Sequence, residues 1–247
     1  MPSRASLRLV AQGESKRGVG GPWIGIDGCR AGWVVARLEA TGRLGIDRVP
    51  TATEWVRRPS AMTLVDMPIG LHASGRVRPR GCDALARARL GPRRASVFSP
   101  PVRDMLGAIE HAPLGRRGLS IQAFHLIPKI AELDDALEPV DQARVREAHP
   151  ELVFTRLGGA PCEHGKRDAR GRRERELLIE DRVPGALAEI ERFLSNTLRR
   201  DVAVDDVLDA VALSIAARDH TAGIGWRLPE GEEAEPDARG FAMEVLG

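Results

Sequence analysis

Four aspartates stand where a carboxylate does little for folding. Asp27 closes the run WIGID (residues 23–27) and Asp66 closes TLVD (residues 63–66). Asp206 and Asp209 lie near the start of DVAVDDVLDAVALSIAARDH (residues 201–220), a stretch apolar nearly all round. Residues three apart share a helix face, so Asp206 and Asp209 can point the same way. If the two apolar runs are neighbouring parallel strands, Asp27 and Asp66 emerge at one sheet edge and the helix presents its pair to that edge. Four carboxylates in one place repel one another unless cations lie between them. Oxygen-only ligand sets suit Mg²⁺ or Mn²⁺ rather than zinc, and a pair of such ions supports in-line phosphoryl transfer. The pattern therefore points to metal-dependent cleavage of a phosphodiester, with all four aspartates as metal ligands. Each acid also has an ordinary use. Asp205 or Asp206 can cap the helix, Asp27 before Gly28 can form an Asx turn, and Asp66 can open a turn before Met67 and Pro68. Asp209 lies too deep in the helix for a cap.

In EAHPE (residues 147–151), Glu147, His149 and Glu151 share one side if the chain is extended, and Pro150 biases His149 towards that geometry. The chemistry would be a further metal ligand at Glu147 or a proton-handling histidine; the plainer use is as surface residues leading into a strand. A strand parallel to the others would put Glu147 at the wrong end for the aspartate cluster. Only three of the 37 basic residues are lysines, and two of them, Lys129 and Lys166, are candidates to neutralise phosphate charge in a transition state, where they are not simply surface residues. Cys162 and His164 form a C-x-H that lacks the two further ligands of a zinc site.

These residues need a scaffold, and the flanking pattern supplies one. Strands are predicted at residues 23–29, 31–40 and 44–51, with turns between them short enough for an antiparallel meander. A short helix at 52–58 and a buried-type strand at 63–70 follow. Helical pieces are expected at 82–90, at 120–137 with an interruption at Pro128, at 172–183 and at 185–200 around a Pro184–Gly185 break, and at 201–220 as a buried helix. A further strand is expected within 145–157, a loop over 163–173, and an added edge strand at 241–246. The expectation is a single α/β domain over residues 22–247, with a basic insertion around 71–128 and a leader over 1–21.

Composition narrows the function classes. With 29% charged residues among 247, a formal charge of +2 and no apolar run long enough to span a bilayer, the chain does not read as a membrane protein. Three cysteines without C-x-x-C spacing speak against a disulfide scaffold, and residues 1–21 lack a signal-peptide pattern, so a cytoplasmic location is expected. The near-zero total hides blocks of opposite sign. Residues 76–103 carry eight arginines against Asp83 alone, residues 163–175 carry a net +3, and residues 230–247 carry six acids against Arg239. Arginine forks pair with phosphate oxygens, which makes the basic stretches a candidate nucleic-acid surface; a solvated helix face is the alternative. Five Phe, four Trp and no Tyr leave little for base stacking, which favours duplex or branched substrates over single strands.

The ordered motifs GIDGCRAGWVVA (25–36), VDMPIGL (65–71), RGCDALARARLGPRRASVFSPPVR (80–103), SIQAFHLIPKIAELD (120–134), EAHPELVF (147–154), GKRDARGRRERELL (165–178) and DDVLDAVAL (205–213) resemble the bacterial and archaeal proteins grouped as domain of unknown function 429. That resemblance implies a ribonuclease-H-like fold: a mixed sheet of three antiparallel strands plus parallel strands, flanked by helices. It implies Asp27 on the first strand, Asp66 on the fourth, and Asp206 and Asp209 on the last helix, and DDVLDA also looks like the terminal helix motif of Holliday-junction resolvases. Met67 stands where isoleucine is common. The expectation is a Mg²⁺- or Mn²⁺-dependent nuclease working by a two-metal mechanism. Its catalytic residues would be Asp27, Asp66, Asp206, Asp209, Glu147, Lys129 and Lys166. Arg30, Arg80, Arg87, Arg93, Arg94 and Arg103 would hold the nucleic-acid backbone, and assembly into a homo-oligomer is compatible with the sequence. Two other classes stay open: a nucleotide-dependent phosphotransferase of the sugar-kinase and actin group, and a non-catalytic nucleic-acid- or protein-binding module.

Overall fold

The computed structural model of the chain describes residues 20–231 and 233–247, so all but the last two residues of the expected leader lie outside it. Three strands, β1 (Trp23–Cys29), β2 (Gly32–Leu38) and β3 (Leu44–Val49), form the expected antiparallel meander, and α1 (Ala52–Val56) leads to β4 (Met62–Val65). β4 lies parallel to β1, and β5 (Val145–Glu147) lies parallel to β4, giving the order β3-β2-β1-β4-β5. The result is a mixed α/β fold built on one five-stranded mixed sheet flanked by helices.

Strand alternation divides the core into two layers. Ile24 and Ile26 of β1 join Trp33, Val35, Val65 and Val145 under α1 and α4 (Ile121–Ala136). The opposite face of β1, with Trp23 and Cys29, joins Val34, Ala36 and Leu64 under α8 (Val204–Thr221). α8 is surrounded by α5 (Pro150–Gly158), α6 (Ala169–Arg182) and α7 (Ala186–Ser195), which explains its apolar residues on every side. It sits directly on β1. A Cβ at Gly25 would lie 2.0 Å from the carbonyl oxygen of Ala210 and 2.3 Å from the amide nitrogen of Ser214, so only glycine admits this approach.

Residues 71–128 hold α2 (Gly81–Leu90), short 3₁₀ turns, the one-turn helix α3 (His111–Gly115) and the start of α4. Pro128 does not interrupt α4. An internal proline costs about 3 kcal/mol, but Ala123, Ile127, Ile130 and Leu133 are all buried on one side of this helix, and their packing outweighs that cost. Two other expectations shift. The strand within 145–157 stops at Glu147 because Pro150 occupies the first position of α5, where a missing N–H is harmless, and His149 caps that helix. The edge strand expected at 241–246 shrinks to β7 (Val245–Leu246), which pairs with β6 (Arg227–Leu228) as a separate ribbon and touches the main sheet through a bridge between Leu246 and Ala148. Among the described residues, no helix is long and apolar enough to cross a membrane.

Candidate metal centre

The register of the parallel strands sets the site. Val65 pairs with Ile26, and the Asp66 amide donates to the Ile26 carbonyl at 3.0 Å, so Asp66 emerges beside Asp27 at the carboxyl ends of β4 and β1. The close seat of α8 on Gly25 brings Asp209, the residue before Ala210, over the same edge. Carboxylate oxygens of Asp27, Asp66 and Asp209 come within 4.8 Å of one another. Asp27 and Asp209 are buried, and Asp66 is partly so. The Lys166 ammonium, from the loop before α6, donates to Asp209 Oδ2 at 3.0 Å.

The electrostatics are those of crowded anions in a poorly solvated place. Burial, then the neighbouring Asp66, Asp209 and Asp206, pushes the Asp27 carboxyl well above the usual range. Burial likewise raises Asp66 and lifts Asp209 to about 6, with Lys166 opposing both shifts. Burial works against the charged form of Lys166, yet Asp209, Asp27 and Asp66 together hold its ammonium above the ordinary lysine value. Oxygen-only donors are the type that hard cations such as Mg²⁺ and Mn²⁺ take, in preference to softer metals.

A cavity of about 320 Å³ opens over the three aspartates, and Asp206, Glu151, His149, Arg93 and Lys166 also line it. Asp206 does not join the close trio. One of its oxygens accepts the Ala203 amide at 2.9 Å, capping α8 from the third helical position, the ordinary use the sequence had left open. Glu151 was missed as a site residue. It stands in the first turn of α5, where Oε1 accepts from buried Arg175 at 2.5 Å and from Arg93 at 3.2 Å, while buried Oε2 has no hydrogen-bond partner. The signal for it was Pro150, whose preference for the first helical position turns the following glutamate inward instead of along a strand. His149 accepts the Glu151 amide on Nδ1 at 3.2 Å, and its Nε2 lies 3.3 Å from the Ser96 carbonyl. Its role here is a helix cap.

Several sequence candidates are occupied elsewhere. Glu147 is not at the far end: β5 is parallel and Glu147 pairs with Val65, but that places it on the face opposite Asp66. There it forms a two-pronged ion pair with Arg80 at 2.6 and 2.7 Å and accepts the Ile69 amide. Burial pushes Glu147 up to about 6 against the pull of Arg80. Arg80 is 1% exposed and also binds Asp83 and the carbonyls of Ile69 and Gly70, so it cannot meet a polymer. Arg103 is likewise spent on Asp134 and Asp237, and Arg87 braces the Val97 carbonyl and the Ser99 hydroxyl. Lys129 lies across Gly28 on the α4 side, donates to the Gly32 carbonyl at 2.6 Å and rests over the Trp33 ring. Its ammonium is thus held by a backbone carbonyl, still within electrostatic reach of Asp27 and Asp206. Arg30 and Arg94 are exposed, and Arg93 stands at the cavity. Cys162 is buried, and His164 pairs with Glu174 instead, in a more exposed group with Glu163.

The fold and site together define a mixed α/β protein with a carboxylate cluster at the carboxyl ends of adjacent parallel strands. Residues 25–234 match the family described as Protein of unknown function (DUF429), and the chain belongs to that family. Comparisons with curated proteins and with solved structures return no match.

Proposed function

We propose that the chain is a divalent-metal-dependent hydrolase of phosphodiester bonds, a nuclease with a ribonuclease-H-like fold. The observation that carries this reading is the trio Asp27, Asp66 and Asp209, contributed by three separate elements and held within 4.8 Å in a mostly buried setting. Such a cluster is costly without a cation, and its raised carboxyls fit a place built to receive one. These three residues would hold Mg²⁺ or Mn²⁺, which when bound supplies Lewis-acid activation of water and charge neutralisation at the phosphoryl group. Glu151, whose buried Oε2 has no partner, and Asp206, with one oxygen uncommitted, line the same cavity and are the residues available to a second ion. Lys166 keeps Asp209 fixed and adds positive charge where a phosphate would sit. Arg175 and Arg93 hold Glu151 in its rotamer from behind.

A sugar-kinase-like phosphotransferase would need a second such domain to close a nucleotide cleft, and the described residues hold one five-stranded sheet. The test is incubation of the protein with labelled single-stranded, duplex and four-way-junction DNA, RNA and RNA–DNA hybrid in Mg²⁺, Mn²⁺ or EDTA, beside Asp209→Asn. Metal-dependent cutting that disappears in the variant is the expected result. Metal binding without cutting of any polymer would overturn the nuclease reading.

A further inference from the structure

Part of the basic insertion is spent within the fold, with Arg80 on Glu147 and Asp83 and Arg103 on Asp134 and Asp237, while Arg76, Arg78 and Arg94 stay exposed, which raises the question of where a phosphate backbone would lie. A second cavity, of about 250 Å³, adjoins the metal centre and shares Gly28 and Asp206 with it. Its other walls include Arg30 at the β1–β2 turn and Arg199 and Arg200 in the loop before α8. All three arginines are exposed. Arg200 pairs loosely with Asp201 at 3.8 Å, too long for a hydrogen bond, and among the described residues neither Arg30 nor Arg199 has an acidic partner within ion-pair distance. The two segments are tied together through the backbone: the Ala31 amide donates to the Asp201 carbonyl at 3.2 Å, and Arg48 donates to the Ala31 carbonyl at 2.6 Å. Among the residues lining this cavity the acids are Asp201 and Asp206, and one oxygen of Asp206 accepts the Ala203 amide.

We propose that Arg30, Arg199 and Arg200 form a subsite for a phosphate next to the one at the aspartates. The substrate would then be a nucleic-acid strand whose backbone crosses Gly28, rather than a free mononucleotide. Exposed guanidinium forks are the groups that phosphate oxygens engage with two parallel hydrogen bonds. Gly28 and Asp206 form the wall that the two cavities share, with the Lys129 side chain packed over Gly28 on the α4 side. This inference rests on the nuclease reading for what lies at the aspartates, but the subsite's own test does not depend on turnover.

The measurement is fluorescence anisotropy of labelled duplex DNA and RNA–DNA hybrid on an Asp209→Asn background, so that nothing is cut, across a salt series. Arg30→Ser/Arg199→Glu/Arg200→Glu is compared with Arg76→Glu/Arg78→Glu on the insertion, and circular dichroism verifies the fold of both. If the three arginines each meet a phosphate, their loss lowers the slope of log affinity against log salt by about 3, since each neutralised phosphate contributes roughly 0.9. The insertion pair should change it far less. An unchanged slope in the triple variant, or a larger loss in the insertion pair, overturns the subsite. Cleavage by the intact chain with an unchanged slope would leave the nuclease reading standing without the subsite. A lost slope with no cleavage of any polymer would leave the phosphate tract standing without the nuclease.

Discussion

Gly25→Ala tests whether packing at the middle of β1 sets the geometry of the aspartate trio proposed to hold a metal. The added Cβ would meet the Ala210 carbonyl at 2.0 Å and the Ser214 amide at 2.3 Å, where real contacts stay beyond 3.0 Å, so α8 must retreat by about 1 Å or tilt. Helix and strand backbone cannot yield as a flexible side chain would. Overpacking of this kind costs about 1–3 kcal/mol, which for a chain of this size lowers Tm by about 2–12 °C at 2–4 °C per kcal/mol. The effect on the site should be larger than the effect on the fold. Asp209 moves with Ala210, and a misplacement near 1 Å costs on the order of a hundredfold in a positioned reaction. Denaturant titration and thermal melts measure the first effect, and Mn²⁺ titration calorimetry with cleavage assays measures the second. A variant that melts within a degree of the parent and binds Mn²⁺ equally well would refute both the close seat of α8 and its role in placing Asp209.

Arg80→Leu should cost about 3–5 kcal/mol, because it strands two buried carboxylates, Glu147 and Asp83, without their cation. Chemical denaturation reads that loss, whereas a surface arginine that only met phosphate would cost almost nothing. Burial raises Asp209 to about 6, so the metal-free native state holds a proton that the unfolded chain releases, and stability falls as pH climbs from about 4 towards 6. Divalent affinity rises over the same window, so Mn²⁺ should lift Tm more near pH 7 than near pH 5; an equal lift would exclude Asp209 as a ligand. Lys166→Met removes a resident positive charge that competes for Asp209, so Mn²⁺ affinity should rise by about tenfold, a hydrogen bond to a charged group being worth about 1.5–3 kcal/mol, while turnover falls. Calorimetry showing weaker Mn²⁺ binding in that variant would count against the competition.

Much of the scaffold was legible because its signals are local. An acid that ends an apolar run, a meander with short turns and a helix apolar on every side each follow from a few adjacent residues, and they mark Asp27, Asp66 and Asp209 as candidates, while the pairing of β1 with β4 that brings them together had to be assumed. What the sequence hid were partners far apart in the chain. The eight arginines of residues 76–103 read as a phosphate surface because charge is visible and pairing is not. Arg80 meets Glu147 and Arg103 meets Asp134 and Asp237, and these acids lie in other segments. Asp206 was ambiguous for a different reason: a carboxylate in the first turn serves equally well as a cap or as a ligand, and here one oxygen caps on the Ala203 amide while the other stays uncommitted.

The fourth acid shows how one residue of strand phase assigns chemistry. In parallel pairing Val65 faces the same side as Glu147, so the residue in phase with Asp66 is Ala148, which packs in the layer beneath α8. β5 thus delivers a methyl group where a further carboxylate would have pointed, and Glu151 reaches the cavity from the first turn of α5 instead. The two glutamates should therefore separate cleanly. Glu147→Gln alters the buried pair with Arg80 and should lower stability while leaving Mn²⁺ affinity within about twofold. Glu151→Gln removes a carboxylate aimed at the metal side, and it should weaken Mn²⁺ binding by about tenfold or more, the loss typical of altered metal surroundings. Because Glu151 also holds buried Arg175, that variant must be titrated well below its own Tm. If Glu147→Gln weakens Mn²⁺ and Glu151→Gln does not, the strand phase places the wrong acid in the site.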